Sequence, residues 1–213
     1  MIILNIRVLI ILVFCSFYSY ACSQSFLTMS GEFTMKEKRN ENLKLIKGRF
    51  EIDNEKRFLK FKLSFPQHET WILNDTIFEK YVNDSLISSI GFSKWDDVSF
   101  FNDIIHLYKN DYGLKDSGFK IVDISKKENK TIVKWLSPTN FEKVIKNAFT
   151  IVEENLLKSV SFYDPNDTEI SVSFFSDFKI LNGLPIPCKI TSKHTGTKDI
   201  VYKSMEFRNM TIN

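Results

Sequence analysis

The chain has 213 residues, 43% of them hydrophobic and 26% charged, an ordinary globular balance with enough length to bury one sizeable core. Its formal net charge of +3 is spread as alternating Lys, Glu and Asp rather than gathered in a block, which argues against electrostatic binding of nucleic acid. Only seven glycines occur, and no G-x-G-x-x-G, P-loop or G-x-S-x-G sequence is present, so nucleotide-binding and hydrolase signatures are missing. Twenty phenylalanines supply large apolar area without a polar tip to satisfy, which suits a roomy apolar interior.

The N-terminus reads as a targeting segment. Arg7 precedes an apolar run from Val8 to Phe14, and small and aromatic residues follow as far as Ser19-Tyr20-Ala21, the order of a secretory signal peptide. This predicts a signal peptide over residues 1–21 and one domain over 22–213. The aliphatic run is shorter than the ~20 residues of a membrane-spanning helix. Cys22 leaves two outcomes open. Ordinary cleavage before it gives a soluble exported protein, whereas Ser19-Tyr20-Ala21-Cys22 read as an imperfect lipobox gives a chain acylated on Cys22. Ser19 stands where a strong lipobox has Leu, which favours the soluble form. In that form Cys22 and Cys188 either pair in an oxidising compartment or stay as thiols, with Cys188 a small buried hydrophobe; the second is the simpler reading.

Between the signal peptide and Lys44, the loose spacing of Phe26, Met29, Phe33 and Met35 suggests a helix, although Gly31 and Thr34 weaken it. Strands follow. Lys47 to Ile52 alternates apolar and polar, Asp53-Asn54-Glu55-Lys56 turns, and Phe58 to Phe65 returns with Leu59, Phe61, Leu63 and Phe65 on one side. Pro66 ends that strand, Trp71-Ile72-Leu73 begins the next, and Asn74-Asp75 leads to Ile77 to Val82 and another turn at Asn83-Asp84. One amphipathic helix is expected over 97–112, capped by Asp96-Asp97 and stopped by Gly113, with Phe100 or Phe101, Ile104 or Ile105, and Tyr108 recurring at helical spacing. From Phe119 strands resume: Phe119 to Ile124, Thr131 to Leu136, Val144 to Val152, Leu156 to Tyr163, Glu169 to Ile180, Ile186 to Ser192 and Asp199 to Ile212. The total is about nine or ten strands against one or two helices, and so many strands must curl, close or split.

The economical architecture is therefore a mainly β fold: one strongly curved antiparallel sheet around a space partly covered by helix. Alternation nominates Phe50, Ile52, Leu59, Phe61 and Leu63 for the wall of that space, together with Phe149, Ile151, Val160, Phe162, Val172 and Phe174. Phe100, Ile104, Ile105 and Tyr108 are the lid candidates. For any one strand position, ordinary core is the plainer role.

Nothing in the sequence carries a catalytic or metal-binding pattern. His68, His106 and His194 fall on three segments without ligand spacing. Asp96-Asp97 are adjacent and so do not face one another across a site, and helix capping accounts for them. Cys188 has no sequence partner that marks a nucleophile. No cofactor is expected, and the chain reads as a non-enzyme.

Gly48-Arg49-Phe50-Glu51-Ile52, the strand closing on Phe65-Pro66, and Trp71-Ile72-Leu73-Asn74-Asp75 before Ile77-Phe78-Glu79-Lys80-Tyr81 form a familiar order. So do Phe149-Thr150-Ile151-Val152, Leu157 to Phe162, Gly183-Leu184-Pro185-Ile186-Pro187 and the ending Phe207 to Asn213. Together, from about Phe33 to Asn213, they resemble the periplasmic outer-membrane lipoprotein carriers, LolA-like proteins, and the related lipoprotein-sorting proteins. The resemblance implies an unclosed β-barrel lidded by one to three helices over a hydrophobic cavity that receives lipoprotein acyl chains. It also implies a monomer that meets an inner-membrane releasing complex and an outer-membrane acceptor. Carriers of the best-known type have an Arg-Pro pair that helps latch the lid; Asp53-Asn54-Glu55-Lys56-Arg57 lacks it, so the latch is not carried over. The leading expectation is a periplasmic, non-enzymatic carrier of lipoprotein acyl chains. The alternative is a lipoprotein anchored through Cys22 whose LolA-like domain acts as receptor, sensor or structural module. A lipid hydrolase or transferase is a weaker third reading, open because fold does not fix function.

Overall fold

The computed structural model describes residues 28–56, 58–74, 77–91, 109–196 and 199–213. They form thirteen strands: β1 (Thr28–Arg39), β2 (Asn42–Asp53), β3 (Phe58–Phe65), β4 (Glu69–Asn74), β5 (Ile77–Val82), β6 (Ser85–Gly91), β7 (Lys120–Lys127), β8 (Lys130–Leu136), β9 (Asn147–Glu153), β10 (Leu156–Tyr163), β11 (Glu169–Leu181), β12 (Leu184–Thr195) and β13 (Ile200–Ile212). All belong to one sheet in the order β6-β5-β4-β3-β2-β1-β13-β12-β11-β10-β9-β8-β7. Two meanders, β1 to β6 and β7 to β13, are thus joined side by side along β1 and β13, which run antiparallel from Met29 opposite Ile212 to Arg39 opposite Val201. The edge strands β6 and β7 are consecutive in sequence and do not pair, so the sheet is not closed into a barrel.

Local chemistry sets the meander. Asn83-Asp84, Glu154-Asn155 and Asn182-Gly183 each form a two-residue connection with both φ angles positive, between 48° and 79°. That is the turn whose twist matches right-handed strands, and Asn, Asp and Gly tolerate it best. Twist accumulating over more than ~10 strands curls an open sheet. One face of this sheet carries a single cluster of buried apolar residues drawn from both meanders, and the other meets solvent.

The sequence-based expectation of a helix before Lys44 is overturned: Thr28–Arg39 is β1. Met29, Phe33 and Met35 share its buried face with a period of two, and Gly31 stands at the position between them that breaks the pattern. A Cβ on Gly31 would lie 2.9 Å from the Phe50 ring and 3.0 Å from Met210 Cγ, so the missing side chain makes room for those neighbours. The helix expected over 97–112, with lid candidates Phe100, Ile104, Ile105 and Tyr108, lies outside the described residues except at its end. There, 110–112 are turn, with Tyr112 at φ 55° followed by Gly113 at φ 67°. The described residues contain no helix, so the lidding helices of the expected fold class are not among them. Residues 1–21, where a signal peptide is expected, and Cys22 also lie outside the described residues.

Candidate functional site

The buried face of the sheet is the feature around which the molecule is built. On the first meander it consists of Met29, Phe33 and Met35 of β1, Ile46, Phe50 and Ile52 of β2, Leu59, Phe61 and Leu63 of β3, and Leu73 of β4. Aromatic rings lock strands that do not pair: Phe33 of β1 meets Phe61 of β3 edge-on at 5.1 Å, and Phe50 of β2 meets Phe207 of β13 at 5.4 Å. On the second meander, Val160 and Phe162 of β10, Phe175 of β11, Ile186 and Ile190 of β12, and Met205 and Phe207 of β13 continue it.

The turn before β7 folds onto this face. Tyr112 packs 6.1 Å from Phe162 and 5.9 Å from Phe175, Phe119 packs 6.4 Å from both Phe141 and Phe162, and Leu114 is buried beside them. One polar pair lies within it: the Trp135 indole N–H donates to Thr150 Oγ1 at 3.0 Å, and both residues are buried. Sequence reading missed Tyr112, Leu114, Phe141 and Ile145, because they sit on turns where no periodicity marks the inward side.

Toward one end of the strands the same face turns polar. Register places Ser173, Ser192, Lys203, Glu37 and Lys44 in one row across β11, β12, β13, β1 and β2. Lys203 Nζ lies 3.9 Å from Glu37 Oε2, with both side chains about one-fifth exposed. In the next row Ser171 Oγ is hydrogen-bonded to His194 Nδ1 at 2.9 Å. Burial, reinforced by the positive charge of Lys203, pushes His194 down to about 4, so its imidazole is neutral at physiological pH. Near the β4–β5 side, Glu69 accepts from Trp71 Nε1 at 2.8 Å and from Lys80 Nζ at 2.9 Å. Burial raises the Glu69 carboxyl, but the bonds from Lys80 and Trp71 outweigh it and hold it below the usual range. The buried apolar floor thus ends in a margin of hydrogen-bonded and ion-paired side chains.

The structure divides the wall candidates between two faces. Phe50, Ile52, Leu59, Phe61, Leu63, Val160 and Phe162 meet in the buried cluster. Phe149, Ile151, Val172 and Phe174 lie on the opposite side: register sets Phe149 across from Ser161 and Ala148 across from Phe162, and sets Phe174 across from Ser159 while Phe175 joins the cluster. Both strands carry apolar residues in either phase. On β9 the inward set is Ala148, Thr150 and Val152, and on β11 serines 171 and 173 precede Phe175, so local alternation alone picks the larger, outward side chains. Phe149 is covered there by Tyr163 at 5.3 Å and by Lys134 over its ring.

Among the remaining candidates, Cys188 is a free, buried thiol, and burial pushes its pKa up, away from the reactive thiolate. His68 is exposed on the loop before β4, and His106 lies outside the described residues. No group of His, Cys, Asp or Glu among the described residues is placed to hold a metal ion.

No protein-family model matches the chain and no curated protein matches it in sequence, so likeness rests on shape. A LolA superfamily protein from Nitrosomonas europaea superposes on 87% of this chain and 86% of its own, with a TM-score of 0.61 at 9% identity. The fold is LolA-like. A domain from Vibrio parahaemolyticus described as an outer membrane lipoprotein-sorting protein matches this LolA-like chain over 89% of its length and 87% of that domain, with a TM-score of 0.63 at 11% identity. A DUF1329 family protein from Desulfovibrio piger gives a TM-score of 0.66 at 13% identity over 89% and 87% of the two chains. What the three share with this chain is the overall fold, over most of each chain's length.

Proposed function

We propose that this LolA-like protein is a non-enzymatic periplasmic carrier that shelters the acyl chains of lipoproteins against the buried face of its sheet and moves them toward the outer membrane. One observation supports the reading: a single unclosed sheet buries, on one side, a continuous aromatic and aliphatic cluster that runs across β1–β4 and β8–β13, with a polar margin at one end. Each methylene taken out of water is worth ~0.8 kcal/mol, so a carrier of acyl chains through an aqueous space needs an apolar surface of comparable length. The reading includes export by residues 1–21, a mature domain over 22–213, and Phe100, Ile104, Ile105 and Tyr108 as its lid candidates. An inner-membrane donor and an outer-membrane acceptor are its partners.

Native mass spectrometry with lipid extraction, on protein purified from its own compartment, tests this. Lipoprotein or lipid bound to a chain without acylation on Cys22 is the expected result. An empty chain acylated on Cys22 would overturn the shuttle and leave an anchored receptor or structural module.

A further inference from the structure

We propose that the outer face of the sheet around Phe174 and Tyr202 docks the protein on an anionic lipid bilayer. On the side away from the buried cluster, β1, β2, β11, β12 and β13 form an open groove of about 440 Å³. Its large apolar groups are exposed: Leu43 at 72%, Phe174 at 53% and Tyr202 at 51%. Register interleaves them with lysines, Tyr202 lying between Lys193 and Lys38, and Lys38 between Tyr202 and Leu43. Lys36 borders Leu45 and Ser204 in the adjoining row. Lys193 has Glu169 at 3.7 Å, whereas no carboxylate among the described residues lies within ion-pair distance of Lys36 or Lys38.

An exposed Phe and Tyr beside lysines of which Lys36 and Lys38 have no carboxylate partner among the described residues match the chemistry of a membrane interface. Aromatic rings sit at headgroup depth, lysine stems lie along apolar surface, and the ammonium groups reach phosphate. A protein partner fits less well, because the centres of protein interfaces favour Arg and are depleted in Lys. The side chains stand perpendicular to the strands, so the whole groove can meet a surface at once. This docking does not rest on the cargo reading, and it leaves the buried face on the far side of the sheet.

Co-flotation with vesicles tests it, using the full protein carrying Cys22→Ser so that no acyl anchor contributes. Vesicles of phosphatidylethanolamine and phosphatidylglycerol should carry the protein, and high salt or vesicles of pure phosphatidylcholine should release it. Lys36→Gln with Lys38→Gln, and separately Phe174→Ser with Tyr202→Ser, should each weaken vesicle binding about tenfold or more while leaving co-extracted lipid and melting temperature unchanged. Absence of binding to anionic vesicles, or binding that neither pair of substitutions weakens, would overturn the proposal. So would a result in which the substitutions abolish capture of a lipoprotein donor but leave vesicle binding intact, which would make the groove a protein-docking surface.

Discussion

Two residues show how much single positions are asked to do. Gly48 sits at the β2–β3 irregularity between Lys47 and Gly48, where a Cβ would stand 2.3 Å from the Lys62 carbonyl oxygen. That atom is backbone and cannot swing aside, so Gly48→Ala should destabilise the protein by about 2 kcal/mol or more, read from urea unfolding. His194 makes stability depend on pH. Its ordinary pKa is 6.5 and its folded value is about 4, so the unfolded chain takes up a proton first as pH falls. The contribution is complete above 6.5 and is lost as pH drops to about 4, amounting to about 3 kcal/mol. His194→Gln should therefore flatten the fall in melting temperature between about pH 7 and about pH 4, whereas an unaltered fall would assign acid sensitivity to the carboxylates.

Hairpin chemistry carries most of the information at the scale of the element. Asn182-Gly183 was readable as a turn because it stands between two apolar runs, and it is one, with Gly183 at φ 79°. Gly183→Ala, with a Cβ forced into that region, should cost about 1 kcal/mol, measured by thermal melting. The pairing of β8 and β9 depends on a less visible device. Thr150→Val keeps the shape of the side chain but leaves the buried Trp135 N–H without its acceptor, a cost of about 1–3 kcal/mol that Trp135→Phe in the same chain should relieve. β1 was harder to read than the later strands, since Gly31 empties one position of its apolar face and leaves Met29 and Phe33 four residues apart, a helical spacing.

For the whole molecule, the pairing of β1 with β13 is what turns two meanders into one sheet and one core. Phe207 sits on that seam and meets Phe50 at 5.4 Å. Phe207→Ala should lower stability by about 3–5 kcal/mol and, because both meanders share the cluster, unfolding should remain a single transition by tryptophan fluorescence and circular dichroism. Two separated transitions would mean that the meanders fold as independent units. The edge strands β6 and β7 bear exposed Leu86, Ile87 and Ile90, and Ile121, Val122 and Ile124, so the open side of the sheet is apolar and, among the described residues, has no further strand paired to it.

The sequence by itself determined that the protein is mostly strand, where most hairpins turn, and that Phe50, Ile52, Leu59, Phe61 and Leu63 share a face. These follow from turn propensities and a two-residue period, which act over a few positions. Only the tertiary structure decided that β1 seals against β13, that β6 and β7 are the open edges, and that Phe149, Ile151, Val172 and Phe174 face away from the core. Register with the neighbouring strand selects which phase is buried, and local alternation points the wrong way where, as on β9 and β11, the outward phase holds the larger apolar side chains.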